Sequence, residues 1–364
     1  MIIDRIEPIA LRIPVTRPRD ASNMPAAPSD ALHLVLCRVT TRSGLQGYGE
    51  CLCNRAPMQK GLVATMRDAI APLYLGKSVD ERGALNLEMR RRFASFGRAG
   101  TVLNALAAVD TALWDIAGKA AGLSLSDMIG GAKHARVPVM ASLDKYDNEA
   151  RVSRRIEQAL AAGVAAVKVH ESSLAVIEAA RRVIPEAIPF VADLNNAHSL
   201  DVIRRDLARW QAMELLWLED PVWPPEILLD SAALEDITVG LGADLGSAEQ
   251  LSLYGKAAPV GVLQPDVCML GGVSEAVKAL AALDAWPGAI APHTPFVGPA
   301  ALASLHLIAV LDQPGHFATI EADDDMDAYG FGLTRWQASI DVPTEPGLGF
   351  DPDAAWLQRY AMDR

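Results

Sequence analysis

Eight short segments decide the reading of this chain: VPVMAS (137–142), AAVKVH (165–170), PFVADL (189–194), LLWLED (215–220), ITVGLGAD (237–244), GVLQPD (261–266), AIAPH (289–293) and FATIEA (317–322). Each is a short apolar run, the pattern of a strand covered on both faces. Helical stretches such as 148–162, 200–213, 248–257 and 273–286 lie between them. Strands alternating with helices in this way predict a parallel (β/α) barrel. The competing architecture is an open doubly wound sheet. Its first strand would lead into a glycine-rich phosphate turn, and VPVMASLDKY (137–146) contains no glycine.

Upstream, the pattern changes. IDRIEPIALRIPV (3–15) and LHLVLCRVTTRSGLQGYGE (32–50) are alternating runs, read as strands, with a predicted loop over 16–30 and an irregular stretch over 51–58. A helical segment follows, VLNALAAVDTALWDIAGKAAGLSLSDMIGG (102–131), punctuated by Gly118, Gly122, Gly130 and Gly131. The expected division is a capping domain over 1–130, a barrel over 131–335 and a C-terminal segment over 336–364 that returns to the cap.

Composition bounds the function. The 364 residues are 51% hydrophobic, enough for a large core and too many for a disordered chain. Lys plus Arg number 33 against 45 Asp plus Glu, a formal charge of −12 that argues against nucleic acid or an anionic membrane as partner. Cys37, Cys51, Cys53 and Cys268 form no CxxC pair and no disulfide framework. With no apolar leader and no run of 18 apolar residues, a cytoplasmic protein is expected.

The strand ends carry the chemistry, as barrel active sites require. They read Lys168-Val169-His170, Asp193-Leu194-Asn195, Glu219-Asp220, Asp244, Asp266, His293 and, at the eighth strand, Glu321. Any one strand-end acid is commonly a helix cap. Seven chemically active ends in one chain are not. Asp193, Glu219 and Asp244 are 26 and 25 residues apart, one β/α unit each, so they should project from neighbouring strands towards one point. Three hard oxygen donors suit Mg²⁺; no His pair or Cys cluster suggests zinc. Lys168 and His170 alternate onto the same face of one strand. Asp266 and His293 end adjacent strands, the arrangement of a carboxylate that fixes the tautomer of a basic imidazole. His33, His134, His198, His306 and His316 are read as structural.

Together these motifs resemble the enolase superfamily, in its mandelate-racemase-like branch, which includes the acid-sugar dehydratases. AVDTALWDIAGKAAG followed by GG is similar to that family's entry to the barrel, and Lys168-x-His170 to its K-x-K motif. Asp193-x-Asn195, LEDP with Glu219 and GAD with Asp244 resemble its metal positions. QPD with Asp266 and PHTP with His293 resemble its His–Asp dyad, and Glu321 its eighth-strand acid. The resemblance implies an α+β cap over a modified (β/α)7β TIM-type barrel, and a homo-oligomer. It also implies cap loops that read the substrate, with Asn23, Met24, Asn54 and Arg55, beside Asn195 of the barrel, as substrate-binding candidates. Two residues depart from the pattern: His170 where lysine is usual, and Asp244 where glutamate is.

The expected chemistry is removal of the α-proton of a small-molecule carboxylate. Mg²⁺ and Lys168 stabilise the enediolate, and His170 and the His293–Asp266 dyad act from opposite faces. Glu321 as a protonated acid bonds the carboxylate. Loss of a β-hydroxyl makes this a sugar-acid dehydration giving a 2-keto-3-deoxy acid. Racemisation, epimerisation or cycloisomerisation of a sugar lactone uses the same residues. A catalytically silent metal-binding scaffold would have no use for the dyad.

Overall fold

The computed structural model describes residues 1–19, 29–53, 56–230, 234, 237–257, 259–320 and 333–362. The cap is an antiparallel sheet of β1 (Ile3–Arg19), β2 (Ser29–Thr41) and β3 (Gln46–Cys51), in that order. The expected loop over 16–30 gives way to strand at both ends, because β1 runs on to Arg19 and β2 begins at Ser29; residues 20–28 lie outside the described residues. The irregular stretch after Glu50 likewise gives way to a helix at Ala56. Side chains alternate across β2 as the pleat demands. Val35, Cys37 and Val39 pack towards the helix Thr101–Ala121. Leu34 and Leu36 face the other way, against Leu11, Ile13 and Leu357 of the C-terminal helix Ala354–Tyr360.

The helix Thr101–Ala121 is the hinge pin between cap and barrel. Its small residues let β3 approach closely: a Cβ on Gly49 would sit 1.9 Å from the Ala108 carbonyl oxygen, and one on Gly47 2.3 Å from that of Ala112. Gly122 ends it in the left-handed region at φ 68°.

The barrel strands are β4 (Arg136–Leu143), β5 (Ala166–His170), β6 (Phe190–Asp193), β7 (Trp217–Glu219), β8 (Val239–Leu241), β9 (Val260–Leu263), β10 (Ala289–Ile290) and β11 (Phe317–Ile320). Their order is β10-β9-β8-β7-β6-β5-β4-β11, every neighbouring pair parallel. This is the expected α/β architecture, a curled parallel sheet of barrel type beneath an antiparallel cap. Among the described residues no ladder joins β10 to β11, and a cavity of about 720 Å³ opens beside that seam at the N-terminal pole. A last strand, β12 (Ser339–Asp341), pairs antiparallel with β4 before the chain returns to β1, where Met362 N–H donates to the Ala10 carbonyl. No described helix is long and apolar enough to cross a membrane.

Candidate active site

Parallel strands in a barrel place their C-terminal ends at one rim, and the register brings the predicted residues level. His170 stands beside Asp193, and Asp193 beside Glu219. Lys168 is 3% exposed, yet its ammonium has partners: Nζ donates to Glu219 Oε1 at 2.6 Å and lies 3.4 Å from Asp193 Oδ2. Burial alone would depress the lysine pKa. The charges of Glu219 and Asp193 outweigh burial and raise it. Burial would likewise raise the Asp193 carboxyl, but Lys168 and His170 pull it well below the usual carboxylate range.

Asp193 is fixed at both oxygens. Oδ1 accepts from the Asn195 N–H at 2.8 Å across a turn that holds Asn195 at φ 49°. Oδ2 meets His170 Nε2 at 3.2 Å. The other nitrogen of that ring, Nδ1, bonds the Leu143 carbonyl oxygen, so it carries a hydrogen. Burial pushes the imidazole down, and the adjacent Asp193 carboxylate brings it back above its ordinary value. The shorter side chain at position 170 thus reaches a neighbouring carboxylate. Asn195 contributes its main chain to Asp193.

Across the rim stands the dyad. The order of strands puts β10, which leads into His293, at the far side of β6–β9 from β5. His293 Nδ1 bonds Asp266 Oδ2 at 2.8 Å. Asp266 is fully buried, and its Oδ1 accepts the Cys268 and Met269 N–H groups at 2.7 and 2.9 Å. The carboxylate is therefore held in place, Nδ1 carries a hydrogen towards it, and Nε2 has no bonding partner among the described residues, on a side chain that is 21% exposed.

Asp244 is exposed at the end of the next strand and, among the described residues, bonds neither Asp193 nor Glu219. Its carboxyl is raised by burial of its surroundings; nearby His293 opposes the rise, and Asp266 and Asp193 add to it. Among the described residues no three His, Cys, Asp or Glu side chains are drawn together around a single point. Lys168 instead lies between the first two carboxylates. The donor chemistry nevertheless fits a hard divalent cation. Half-buried Asp220 is raised well above its ordinary value, first by desolvation and then by the charges of Asp193, Glu219 and Asp244 together, so negative charge is in excess here.

Asn23, Met24, Asn54, Arg55 and Glu321 lie outside the described residues. The structural histidines keep to that role. His33 pairs with Gln59, His134 and His198 bond backbone carbonyls, and His306 sits fully buried against Ser126 and Leu348. Sequence reasoning missed Trp217, whose indole N–H donates to Glu219 Oε2 at 2.9 Å. The available signal was its place two residues before Glu219, hence on the same face.

Comparison with known proteins adds the following. Residues 151–356 match the model of the enolase C-terminal domain-like family, and residues 10–130 that of the mandelate racemase / muconate lactonizing enzyme N-terminal domain. A D-galactonate dehydratase of Verminephrobacter eiseniae is 31% identical over 355 residues, 90% of each chain. A D-galactarolactone cycloisomerase of Agrobacterium fabrum is 27% identical over 356 residues, 90% of this chain and 91% of its own. Among solved structures, L-talarate/galactarate dehydratase from Salmonella typhimurium LT2, liganded with Mg and L-lyxarohydroxamate, superposes with a TM-score of 0.84 at 20% identity, over 100% of this chain and 93% of that one.

Proposed function

The chain belongs to the mandelate racemase / muconate lactonizing enzyme family of the enolase superfamily, and from that premise we propose that it dehydrates a sugar acid, an aldonate or aldarate, to a 2-keto-3-deoxy acid. The observation that carries the reading is the pinned dyad. A buried Asp266 with both oxygens engaged presents His293 with Nε2 free, facing a rim whose other side is cationic Lys168 between two carboxylates.

Asp193, Glu219 and Asp244 would hold magnesium, the ion bound by the Salmonella relative. When bound it supplies Lewis-acid stabilisation of negative charge developing on a carboxylate. Lys168 attracts the substrate carboxylate and orients it across the rim. Lys168 or His170 takes the α-proton from one face; His170 Nε2 does so on leaving the Asp193 oxygen that engages it here. His293, charged and held by Asp266, gives a proton to the departing β-hydroxyl on the other, so that water leaves and the enol tautomerises to the keto acid. Glu321 donates a hydrogen bond to the carboxylate, and Asn23, Met24, Asn54 and Arg55 read the hydroxyls. Dehydration is favoured by the 31% identical D-galactonate dehydratase. The cycloisomerase relative favours the second reading, ring opening of a sugar lactone through the same proton abstraction.

A library of acid sugars, assayed with semicarbazide for 2-keto acids and by NMR for α-proton exchange in D₂O, decides between them. A keto acid supports dehydration. Exchange with an isomer and no keto product supports the second reading, and no exchange with any acid sugar refutes both.

A further inference from the structure

Trp217 begins β7 and Glu219 ends it, so the two side chains share the face that lines the barrel bore. The two oxygens of Glu219 are separately engaged: Oε2 by the Trp217 indole N–H at 2.9 Å, Oε1 by Lys168 at 2.6 Å. Both Trp217 and Glu219 are buried, at 4% and 1% exposure, so the bond is screened from water.

Room for the indole comes from the neighbouring strand. Gly240 stands beside Glu219 in the register of β7 and β8. A Cβ on Gly240 would lie 2.3 Å from Trp217 Cδ1 and 2.8 Å from Nε1, inside contact distance of the donating edge of the ring. Any larger residue there displaces the N–H from Glu219. On another side the indole borders the 720 Å³ cavity, with Val262 and Ala291 in the same wall. Within the bore Trp217 clusters with Met140, Ala166, Val191, Val262 and Ala291. Its donating edge is placed by the hydrogen bond and by the missing side chain at 240.

We propose that Trp217 is a positioning residue for Glu219, with Gly240 as the gap that admits it. The indole holds Oε2 and so fixes the direction of Oε1, the oxygen that meets Lys168 here and that Glu219 would share between that ammonium and a divalent cation. This rests on Glu219 being a metal ligand. Groups that orient a ligand from behind contribute about 10- to 100-fold to metal affinity.

The test measures binding without turnover. Mn²⁺ is titrated into the purified protein and free Mn²⁺ is read by electron paramagnetic resonance. Trp217→Phe keeps a ring and deletes the N–H; Gly240→Ala keeps the N–H and displaces it. Both should weaken Mn²⁺ binding about tenfold or more, with far-UV dichroism unchanged. Two substitutions that break one bond from opposite sides should agree, whereas a loss of packing alone would lower the melting temperature and leave Mn²⁺ affinity unmoved. A folded Trp217→Phe protein that binds Mn²⁺ as the wild type does overturns the proposal. Should Glu219→Gln also bind as wild type does, or the wild type bind no Mn²⁺, the underlying reading of Glu219 as a ligand falls, and the proposal with it.

Discussion

Asp266→Asn should disable His293 without disturbing the fold, and the structure says why. Asp266 Oδ1 accepts two main-chain N–H groups, from Cys268 and Met269, while Oδ2 accepts from His293 Nδ1. An asparagine has one accepting atom and one donating group. Its NH₂ cannot face two backbone donors, so the amide oxygen takes the Oδ1 place and the NH₂ turns to His293. Nδ1 must then accept, and the ring is held as the neutral Nε2–H tautomer, a far weaker acid than the imidazolium that the departing hydroxyl requires. The imidazolium also loses its charged partner. A charge-assisted hydrogen bond contributes about 1.5–3 kcal/mol, about 10- to 150-fold in the stability of the charged ring. Loss of a positioned general acid–base costs about 10²- to 10⁴-fold, and the weakened imidazolium is part of that loss, so turnover should fall about 10²- to 10⁴-fold below wild type. The assay is NMR: product formation from the acid sugar that the library identifies, and ¹⁵N–¹H correlation of the imidazole for the tautomer. Turnover within about tenfold of wild type, less than general acid–base catalysis contributes, would refute the reasoning. So would an Nδ1–H tautomer persisting in the folded variant.

Dialysis against EDTA should abolish activity and added Mg²⁺ should restore it, while Asp193→Asn lowers Mg²⁺ affinity by calorimetry; full activity after chelation would contradict the assignment. Glu50 Oε2 accepts the Gly298 and Ala300 N–H groups, each at 3.1 Å, so Glu50→Ala strands two buried donors at about 1–3 kcal/mol each. Glu50→Gln retains an acceptor and should unfold in urea close to wild type; equal midpoints for the two variants would count against the clasp. His306, buried neutral, is pushed down to about 4 by burial, so the unfolded chain takes up its proton first as pH falls. Its share of stability is intact above about pH 6.5 and declines towards pH 4, by about 3 kcal/mol in all. His306→Gln should show a shallower acid limb in melting temperature against pH, and parallel curves would show that His306 does not titrate as argued.

The barrel and half the rim were legible because their signals are local and periodic. Asp193, Glu219 and Asp244 recur at the length of a β/α unit, and Asp266 and His293 repeat it once more. Parallel pairing converts equal spacing into equal height, and the His170–Asp193 and Asp193–Glu219 registers are the result. What spacing could not supply was the outcome of contacts distant in sequence. A tryptophan in LLWLED reads as core, and its hydrogen-bonding role depends on a glycine one strand away. Glu50 ends GYGE in the cap and finds its donors 248 and 250 residues later. The length of β1 was misjudged because proline is compatible with the first and edge positions of strands as well as with loops. His170 could be read as a shorter base, but its engagement with Asp193 and Leu143 is a matter of reach.

The two halves of the rim are anchored differently. Lys168, His170, Asp193, Glu219 and Trp217 bond one another and their barrel neighbours. The dyad half is tied to the cap. Glu50 of β3 grips the start of the helix Pro299–Ala309, a few residues beyond His293, and its carbonyl accepts the Cys268 thiol at 3.2 Å, two residues beyond Asp266. Asp110 of the helix Thr101–Ala121 holds Ser274 through N–H and hydroxyl at 2.8 and 2.7 Å. Glu50 and Asp110 sit at the N-terminal ends of barrel helices, where helix dipoles favour a negative charge, although burial raises both carboxyls to about 7. The contacts of the cap therefore fall on the dyad half of the rim, beside Asp266 and His293, whereas Lys168, His170, Asp193 and Glu219 are held by one another and by barrel neighbours.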